Sequence, residues 1–573
     1  MKLNVVFNCS LYTIGLTALL IACYQGHPRV VDTLLRHGVD PTALDSNQNT
    51  ALDAAWLTGR MEVVQIFIKH KLVSRTDDST HLMSAVLSGN LGLVKLIVKA
   101  GQVNHLNASF DGDDSPLIRA ASHGHADIVS FLIDNGADPN FRTAEKRTTA
   151  LTAACMSGQL EIVKLLIKSG ADAKVLTKDS LNALQCAAVG GQCNVMKFLV
   201  ESGANWQQTT GDDDSSLLHL ACHEGSEHPV DSCQYLIELG LDVNVRDAFG
   251  NTPLTLVTTS GNDNVKLTKF LIHCGADLTA ASDTGLTAVI GAASAGQLET
   301  LKLLVQNGAL VNDCHTNTDN HPFLQAVMSD RLEIVQYLCR NHHSNIDMKM
   351  TDGLSALMVA IMNEAHTVAE YLINAACDVN VVSDSGETAL SITLQTDSPN
   401  ADLVSLLIES GANMEHKTLD GRNTPLLIAV KNQNDSLAIL LLDKGCNVNA
   451  ADGTDATALF YAIRDQSQNL TVQLVSRGAR QMVNQPLQLT ALMVASTLDS
   501  GAVIIEYLLA QNGNAHARNT EGLTALMFAT RAGRVDNVKA LLAHRVNVNV
   551  RDNAGETALV KACVKGTATA DTL

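Results

Sequence analysis

The sequence predicts an all-α fold, a solenoid of stacked helix-turn-helix units with extended turns between them. Three observations carry that expectation. A short motif returns every 33 to 36 residues along the 573-residue chain, with one interval of 30. Each copy holds two apolar stretches of helical spacing with a glycine-type break between them. The stretches are too short to persist alone in water, so neighbouring copies must complete one another's core. A fixed period of this length takes precedence over any local motif.

The anchor of each copy is Thr-Ala-Leu or Thr-Pro-Leu. It stands at Thr17, Thr50, Thr149, Thr252, Thr388, Thr424, Thr457, Thr490, Thr524 and Thr557, with degenerate copies at Thr80, Ser115, Asn182, Ser216, Thr287, His321 and Ser355. Threonine suits a helix N-cap because its hydroxyl accepts a hydrogen bond from an orphan backbone N–H. Proline fits the next position, where its missing N–H would have had no partner. In the unit anchored at Thr524, Leu526, Ala529 and Thr530 give the first helix its apolar stripe. Gly533 breaks it, and a second helix over Val535–Ala543 turns Val538, Leu541 and Leu542 inward. Val546-Asn547-Val548-Asn549 and a turn at Asp552–Gly555 complete the unit. Small pairs such as Ala54-Ala55, Ala120-Ala121, Ala153-Ala154, Ala187-Ala188 and Ala292-Ala293 let adjacent first helices approach closely.

Taken together, Asp-x-x-Gly-x-Thr-Ala/Pro-Leu, the inter-helix Gly, Ile/Val-Val-x-x-Leu-Leu and Gly-Ala-Asp-x-Asn resemble the ankyrin repeat. Good copies of the last element are Gly136-Ala137-Asp138-Pro139-Asn140, Gly170-Ala171-Asp172, Gly275-Ala276-Asp277 and Gly411-Ala412-Asn413. The likeness runs over essentially the whole chain. Two departures stand out. The family's histidine in the fourth place of the anchor occurs only at His219, while Leu20, Met83, Thr152, Met358, Met493 and Met527 hold that place elsewhere. The side-chain network usual there is therefore expected to be missing. The glycine ending the second helix is also absent where Lys71, Asn341, Ala376 and Arg545 stand. Either these joints carry a left-handed penalty of roughly 1 kcal/mol or the helix ends differently there.

Length alone suggests about four globular domains of roughly 150 residues, but the repeat replaces that count with one array. Its expected parts are residues 1–14, the tail of a preceding partial repeat, 15–550, sixteen repeats, and 551–573, a truncated seventeenth. Leu3-Asn4-Val5-Val6 reads as the tail of a second helix, and the helix after Thr557 has no partner. The chain is thus expected to be a section of a longer product or an incomplete gene model. The 13 cysteines are odd in number and scattered without a Cys-x-x-Cys pair. Cys23, Cys155, Cys186, Cys222 and Cys563 occupy apolar helix positions, which points to thiols in a reducing compartment, the cytoplasm. No apolar run reaches the roughly 20 residues of a bilayer span. Leu16–Cys23 mimics a leader peptide but coincides with the first anchor and helix.

The formal net charge of −19 repels phosphate backbones and disfavours nucleic acid. The acidic runs Asp111-Gly112-Asp113-Asp114 and Asp212-Asp213-Asp214 lack the spacing of calcium loops and read as solvated turns. No glycine-rich phosphate loop, nucleophile elbow or His-Glu-x-x-His occurs, so no catalytic residue, cofactor or metal is expected. His223-Glu224-Gly225-Ser226-Glu227-His228, between Cys222 and Cys233, has two histidines five apart, which fails to place them on one helical face. Longer inter-helix loops are expected at Ser226–Asp231, Asn262–Asn264 and Asp397–Asp402.

The resemblance implies binding through a concave groove lined by the turns and first helices. Groove positions just before the inter-helix glycine give an apolar zone, Tyr24, Leu57, Leu87, Met156 and Val189, and a basic zone, Lys431, Arg464 and Arg531, with Met328 and Met362 between. The eight residues of the two zones, without Met328 and Met362, are the candidate partner-binding residues. An extended peptide or an amphipathic helix of another protein suits the first zone, and an acidic segment the second. The expected function is a non-enzymatic interaction scaffold. The competing readings are a regulatory arm of a larger enzyme or channel, and a spacing element with no specific ligand.

Overall fold

The structure, a computed structural model, describes residues 17–70, 72, 78–99, 106–107, 115–211, 213–223, 225–311, 320–342, 344–484 and 486–565. Lys71, Asp111 to Asp114, Asp212, Glu224 and the segment 1–16 lie outside them. Thirty-three helices occur among the described residues, from Ala18–Gln25 to Ala558–Lys565. A short antiparallel pair, Met482–Asn484 with Leu489–Thr490, accompanies them.

The helices begin where the anchors stand. Thr17, Thr50, Thr149, Thr252 and Thr388 hold extended backbone, and each hydroxyl accepts the amide of the third helical residue. Thr524 likewise opens Ala525–Ala532 from extended backbone, but its side chain makes no capping hydrogen bond. Pro116, Pro253, Pro322 and Pro425 occupy the first helical position and are buried. At the far end of Ala525–Ala532, Gly533 adopts φ 75° and returns its N–H to the carbonyls of Ala529 and Thr530.

The network expected only at His219 is there. The Ser216 backbone N–H donates to Nδ1 at 3.1 Å, and Nε2 lies 3.1 Å from the carbonyl of Asn251 in the next turn. Burial lowers the pKa of His219, which favours this neutral imidazole. Elsewhere the expectation needs correcting. Reciprocal caps link Thr50 with Asp53, Thr149 with Thr152, Asn182 with Gln185, Thr252 with Thr255 and Thr388 with Ser391. The local half of the network needs only an acceptor at that position; the bridge from His219 to the following turn needs the length of a histidine. The second-helix ends divide in two. Ala376 and Arg545 take left-handed backbone, φ 62° and 57°, whereas Asn341 lies inside the longer helix Leu332–His342.

The helices gather into two compact units, one of Gly291 and the described residues before it with Lys302–Ala309, the other of Ala292–Leu301 and the described residues from Leu310 on. In the first, Ala18–Gln25, Ala51–Leu57, Asp78–Leu87, Pro116–Ser122, Ala150–Met156, Ala183–Val189, Leu217–Ala221 and Pro253–Thr259 each pack on the next. In the second, the same succession runs from Pro322–Met328 through Ala356–Met362, Ala389–Thr393, Pro425–Lys431, Ala458–Arg464, Ala491–Ser496 and Ala525–Ala532 to Ala558–Lys565. Ala54, Ala55, Ala120, Ala121, Ala187 and Ala188 are buried in these contacts, as are Leu166, Leu199 and Leu407 of the second helices. A fully buried leucine contributes about 1.5–3 kcal/mol, so each helix is held chiefly by its neighbours.

The turns add a second kind of coupling. Asp247 Oδ1 accepts the amides of Phe249 and Asn251 at 2.9 and 2.8 Å, which closes its turn. Successive turns then bond to each other, Asp283 N–H to the Phe249 carbonyl at 3.0 Å and Gly453 N–H to the Gly421 carbonyl at 2.9 Å. The asparagine of Gly-Ala-Asp-x-Asn clips one repeat to the next. Asn140 donates to the Gly170 carbonyl at 2.9 Å and accepts the Asp172 amide at 2.8 Å. Asn244 and Asn380 do the same to Gly275 and Asp277 and to Gly411 and Asn413.

Candidate interaction surface

The apolar candidates occupy one recurring place, the last turn of a first helix. Leu57, Leu87, Met156 and Val189 each end their helix, and Tyr24 stands one residue before the end of Ala18–Gln25. Stacked first helices therefore present these side chains at one recurring place, with Ser122 interrupting the row between Leu87 and Met156. Leu57 and Met156 are 36% and 43% exposed, while Tyr24, Leu87 and Val189 are half-buried. Tyr24 has a further task. Its hydroxyl donates to Asp45 Oδ2 at 2.7 Å, and Asp45 Oδ1 takes the amides of Asn47 and Asn49. Burial and the nearby Asp45 carboxylate push the phenol upward. The tyrosine thus ties a first helix to the turn that follows its repeat.

The basic candidates differ among themselves. Lys431, read from the sequence as an exposed groove cation, is engaged inside the chain. Its ammonium lies 2.8 Å from Asp452 Oδ2, bonds Asn423 and sits 4.6 Å from the centre of the Tyr461 ring. Tyr461 donates its hydroxyl to the same Asp452 oxygen at 2.6 Å. Burial works against the charge of Asp452, but the hydrogen bonds from Lys431, Tyr461 and Thr454 prevail and hold its carboxyl well below the usual carboxylate range. Arg464 is exposed, pairs with Asp465 at 2.7 Å and stacks 4.8 Å from the Tyr461 ring. Arg531 is exposed.

Among the described residues around His223, chemistry-bearing groups do not converge on a metal-type site. The His223 ring accepts the Gly225 amide at 3.2 Å, and His228 precedes the helix Pro229–Glu238. The thiols of Cys222 and Cys233 lie 3.7 Å apart and both are buried, and the hydrogen bond between them together with burial raises Cys222 far from a reactive thiolate. Among the described residues, no group of three or more His, Cys, Asp or Glu is placed to hold a metal ion. Two of the three expected longer loops follow a short first helix, whereas Pro253–Thr259, before Asn262–Asn264, keeps 7 residues. The expected loops Ser226–Asp231 and Asp397–Asp402 are cut short because the second helices already begin at Pro229 and Ala401. Leu217–Ala221 and Ala389–Thr393 have 5 residues each, and Asn264 and Asn400 cap the helices that follow two of these loops.

The repeat matches two family descriptions. "Ankyrin repeats (3 copies)" covers residues 69–143, 117–210, 260–352, 323–418, 393–485, 426–514 and 492–573, and "Ankyrin repeats (many copies)" covers 19–68 and 218–272. The chain belongs to the ankyrin-repeat family. Similar curated proteins include neurogenic locus notch homolog protein 1 of Danio rerio, 33% identical over 202 residues, and of Homo sapiens, 32% identical over 201. Human neurogenic locus notch homolog protein 2 is 32% identical over 189 residues. These alignments take in 33%, 33% and 30% of this chain and 8% of each relative. Among solved structures, the human ASB11 ankyrin repeat domain is 22% identical, with a TM-score of 0.32 over 40% of this chain and 99% of that one. Ankyrin repeats are a general protein-interaction module and are generally non-catalytic. Among the described residues no helix is long and apolar enough to cross a membrane.

What sequence reading missed in these ankyrin repeats is the set of buried turn carboxylates. Asp552 is also matched by a lysine, but from the helix that follows it: Lys561 lies 2.6 Å away, and its hydrogen bond holds the carboxyl below its ordinary value. The Asp-x-x-Gly-x-Thr spacing marks Asp552 as a turn closer, and Asp452 keeps the role with Asp455 in the glycine's place at φ 59°, but neither pattern says which cation folds back onto the carboxylate.

Proposed function

We propose that the chain is a non-enzymatic interaction scaffold, and that Tyr24, Leu57, Leu87, Met156 and Val189 form a contact stripe for an extended peptide or amphipathic helix of another protein. The observation that carries this reading is an apolar side chain at one helical position in five of six successive repeats, interrupted by Ser122, with Leu57 and Met156 substantially exposed. Methionine and leucine in such a row adapt to varied apolar partners. Each anchor buried by a partner contributes about 1.5–3 kcal/mol, so a few decide affinity. Arg464 and Arg531 extend the reading to a partner with an acidic segment, whereas Lys431 serves the fold.

The test is the double substitution Leu57→Asp with Leu87→Asp. The altered protein keeps its helical circular dichroism, and a pull-down from cell extract loses partners that the wild type captures. An unchanged set of captured proteins, with folding intact, would overturn the stripe. A second reading, that the array is the regulatory arm of a larger enzyme or channel, draws support from relatives in which the matching segment is 8% of the whole. The full transcript decides it: an added enzymatic or channel domain supports the arm, and its absence leaves the scaffold.

A further inference from the structure

In the second unit a cleft of about 530 Å³ lies between two successive turns and the ends of their first helices. Its volume falls within the roughly 300–1,000 Å³ typical of ligand clefts. Met362, the last residue of Ala356–Met362, Ile392, within Ala389–Thr393, and Leu354 supply its apolar part. Met362 is 54% exposed, far more than a core methionine such as Met358, one turn earlier. Three carboxylates, Asp352, Asp384 and Glu387, surround this apolar part, and no lysine, arginine or histidine lines the cleft. None of the three makes an ion pair among the described residues. Elsewhere in the same unit Asp452 and Asp552 are each matched by a lysine. Glu387 is held in place by hydrogen bonds from Ser391 and from Gln395, itself part of the lining.

We infer that this cleft binds a linear segment of another protein in which a lysine or arginine adjoins an apolar side chain. The three unmatched carboxylates call for a cation. The described carboxylates do not converge closely enough to hold a metal ion, so the cation is one carried on a long side chain. Such a side chain lays its methylenes along Met362 while its charged end reaches the rim. The adjoining apolar residue covers Met362 and Ile392, where methionine accommodates more than one shape. Steering by the net charge of −19 favours the same class of partner. The inference rests on the chain being an interaction module, but it uses residues remote in sequence from the Tyr24–Val189 stripe.

Three fluorescein-labelled peptides of equal length, alternating lysine with leucine, glutamate with leucine, and lysine with glycine, are titrated with the whole chain and read by fluorescence anisotropy. The lysine–leucine peptide binds about tenfold or more tightly than either of the others, and more weakly as salt rises. Asp352→Asn with Asp384→Asn, which keeps the Asp352 acceptor of the Leu354 amide, weakens it about tenfold, and Met362→Lys does the same on an exposed site where folding is not at stake. The Leu57→Asp with Leu87→Asp protein binds it as the wild type does, which separates this site from the stripe. Equal binding of the glutamate–leucine or lysine–glycine peptide would overturn the inference. So would wild-type affinity in the cleft variants, or loss of binding in the stripe variant.

Discussion

Ala376 and Arg545 stand where most repeats end the second helix with glycine, and both hold positive φ. For an L residue with a Cβ that backbone costs roughly 1–2 kcal/mol, partly offset because glycine gives up more freedom on folding. Replacing either with glycine, Ala376→Gly or Arg545→Gly, is expected to stabilise its joint by about 1 kcal/mol. Hydrogen exchange of the amides in His366–Asn374 or Val535–Ala543 checks this, since exchange slows if the strain is relieved. The sequence showed these positions as missing glycines, and Asn341 looked the same. Only the structure separates them, because a helix that runs on through Asn341 never requires a left-handed residue there.

Between elements, the informative contact is a turn carboxylate taking a cation from a first helix. Asp452 is buried, closes its own turn through the amides of Thr454 and Ala456, and receives Lys431 from the preceding repeat and Tyr461 from the helix after it. Its carboxyl is held below the ordinary value, so its contribution is complete above the unfolded value near about pH 4 and is lost as pH falls toward the lowered one. Asp452→Asn leaves Lys431 without its charge partner and is expected to cost about 2 kcal/mol at neutral pH. In thermal unfolding followed by circular dichroism, the gap between this variant and the wild type narrows below about pH 4. A gap that stays constant in acid would show that the charge is not what stabilises the contact. The candidate site was read less well than the fold for the same reason. Lys431 looked like a free groove cation, because its partner lies 21 positions on, in the next turn, and no helical periodicity reports that distance.

Within each unit, ankyrin repeats are coupled to their neighbours through packed helices, turn-to-turn backbone bonds and asparagine clips. Stability in such an array approximates a sum of repeat and nearest-neighbour terms. Asn140→Ala removes both bonds from one repeat to the next and is expected to weaken that joint by about 1–2 kcal/mol. Amides in Ala126–Asp134 and Leu160–Lys168 then exchange faster, while those in Pro425–Lys431 keep wild-type rates. Uniformly faster exchange along the chain would contradict nearest-neighbour coupling. The same arithmetic makes the two proposed surfaces separable in experiment: the stripe ending at Val189 and the cleft at Met362 draw on different repeats, and an altered side chain at one is expected to leave the packing at the other intact.

The amino-acid sequence by itself determined the period, the helices, their caps and the apolar faces that force stacking, because each is written within about ten residues and repeated until chance is excluded. The tertiary structure alone decided which first-helix ends are exposed, which charges are matched and where a cleft opens. Those outcomes depend on residues some 20 to 40 positions apart brought together by stacking, and the sign of an electrostatic contact is set by its nearest neighbour in space rather than in sequence.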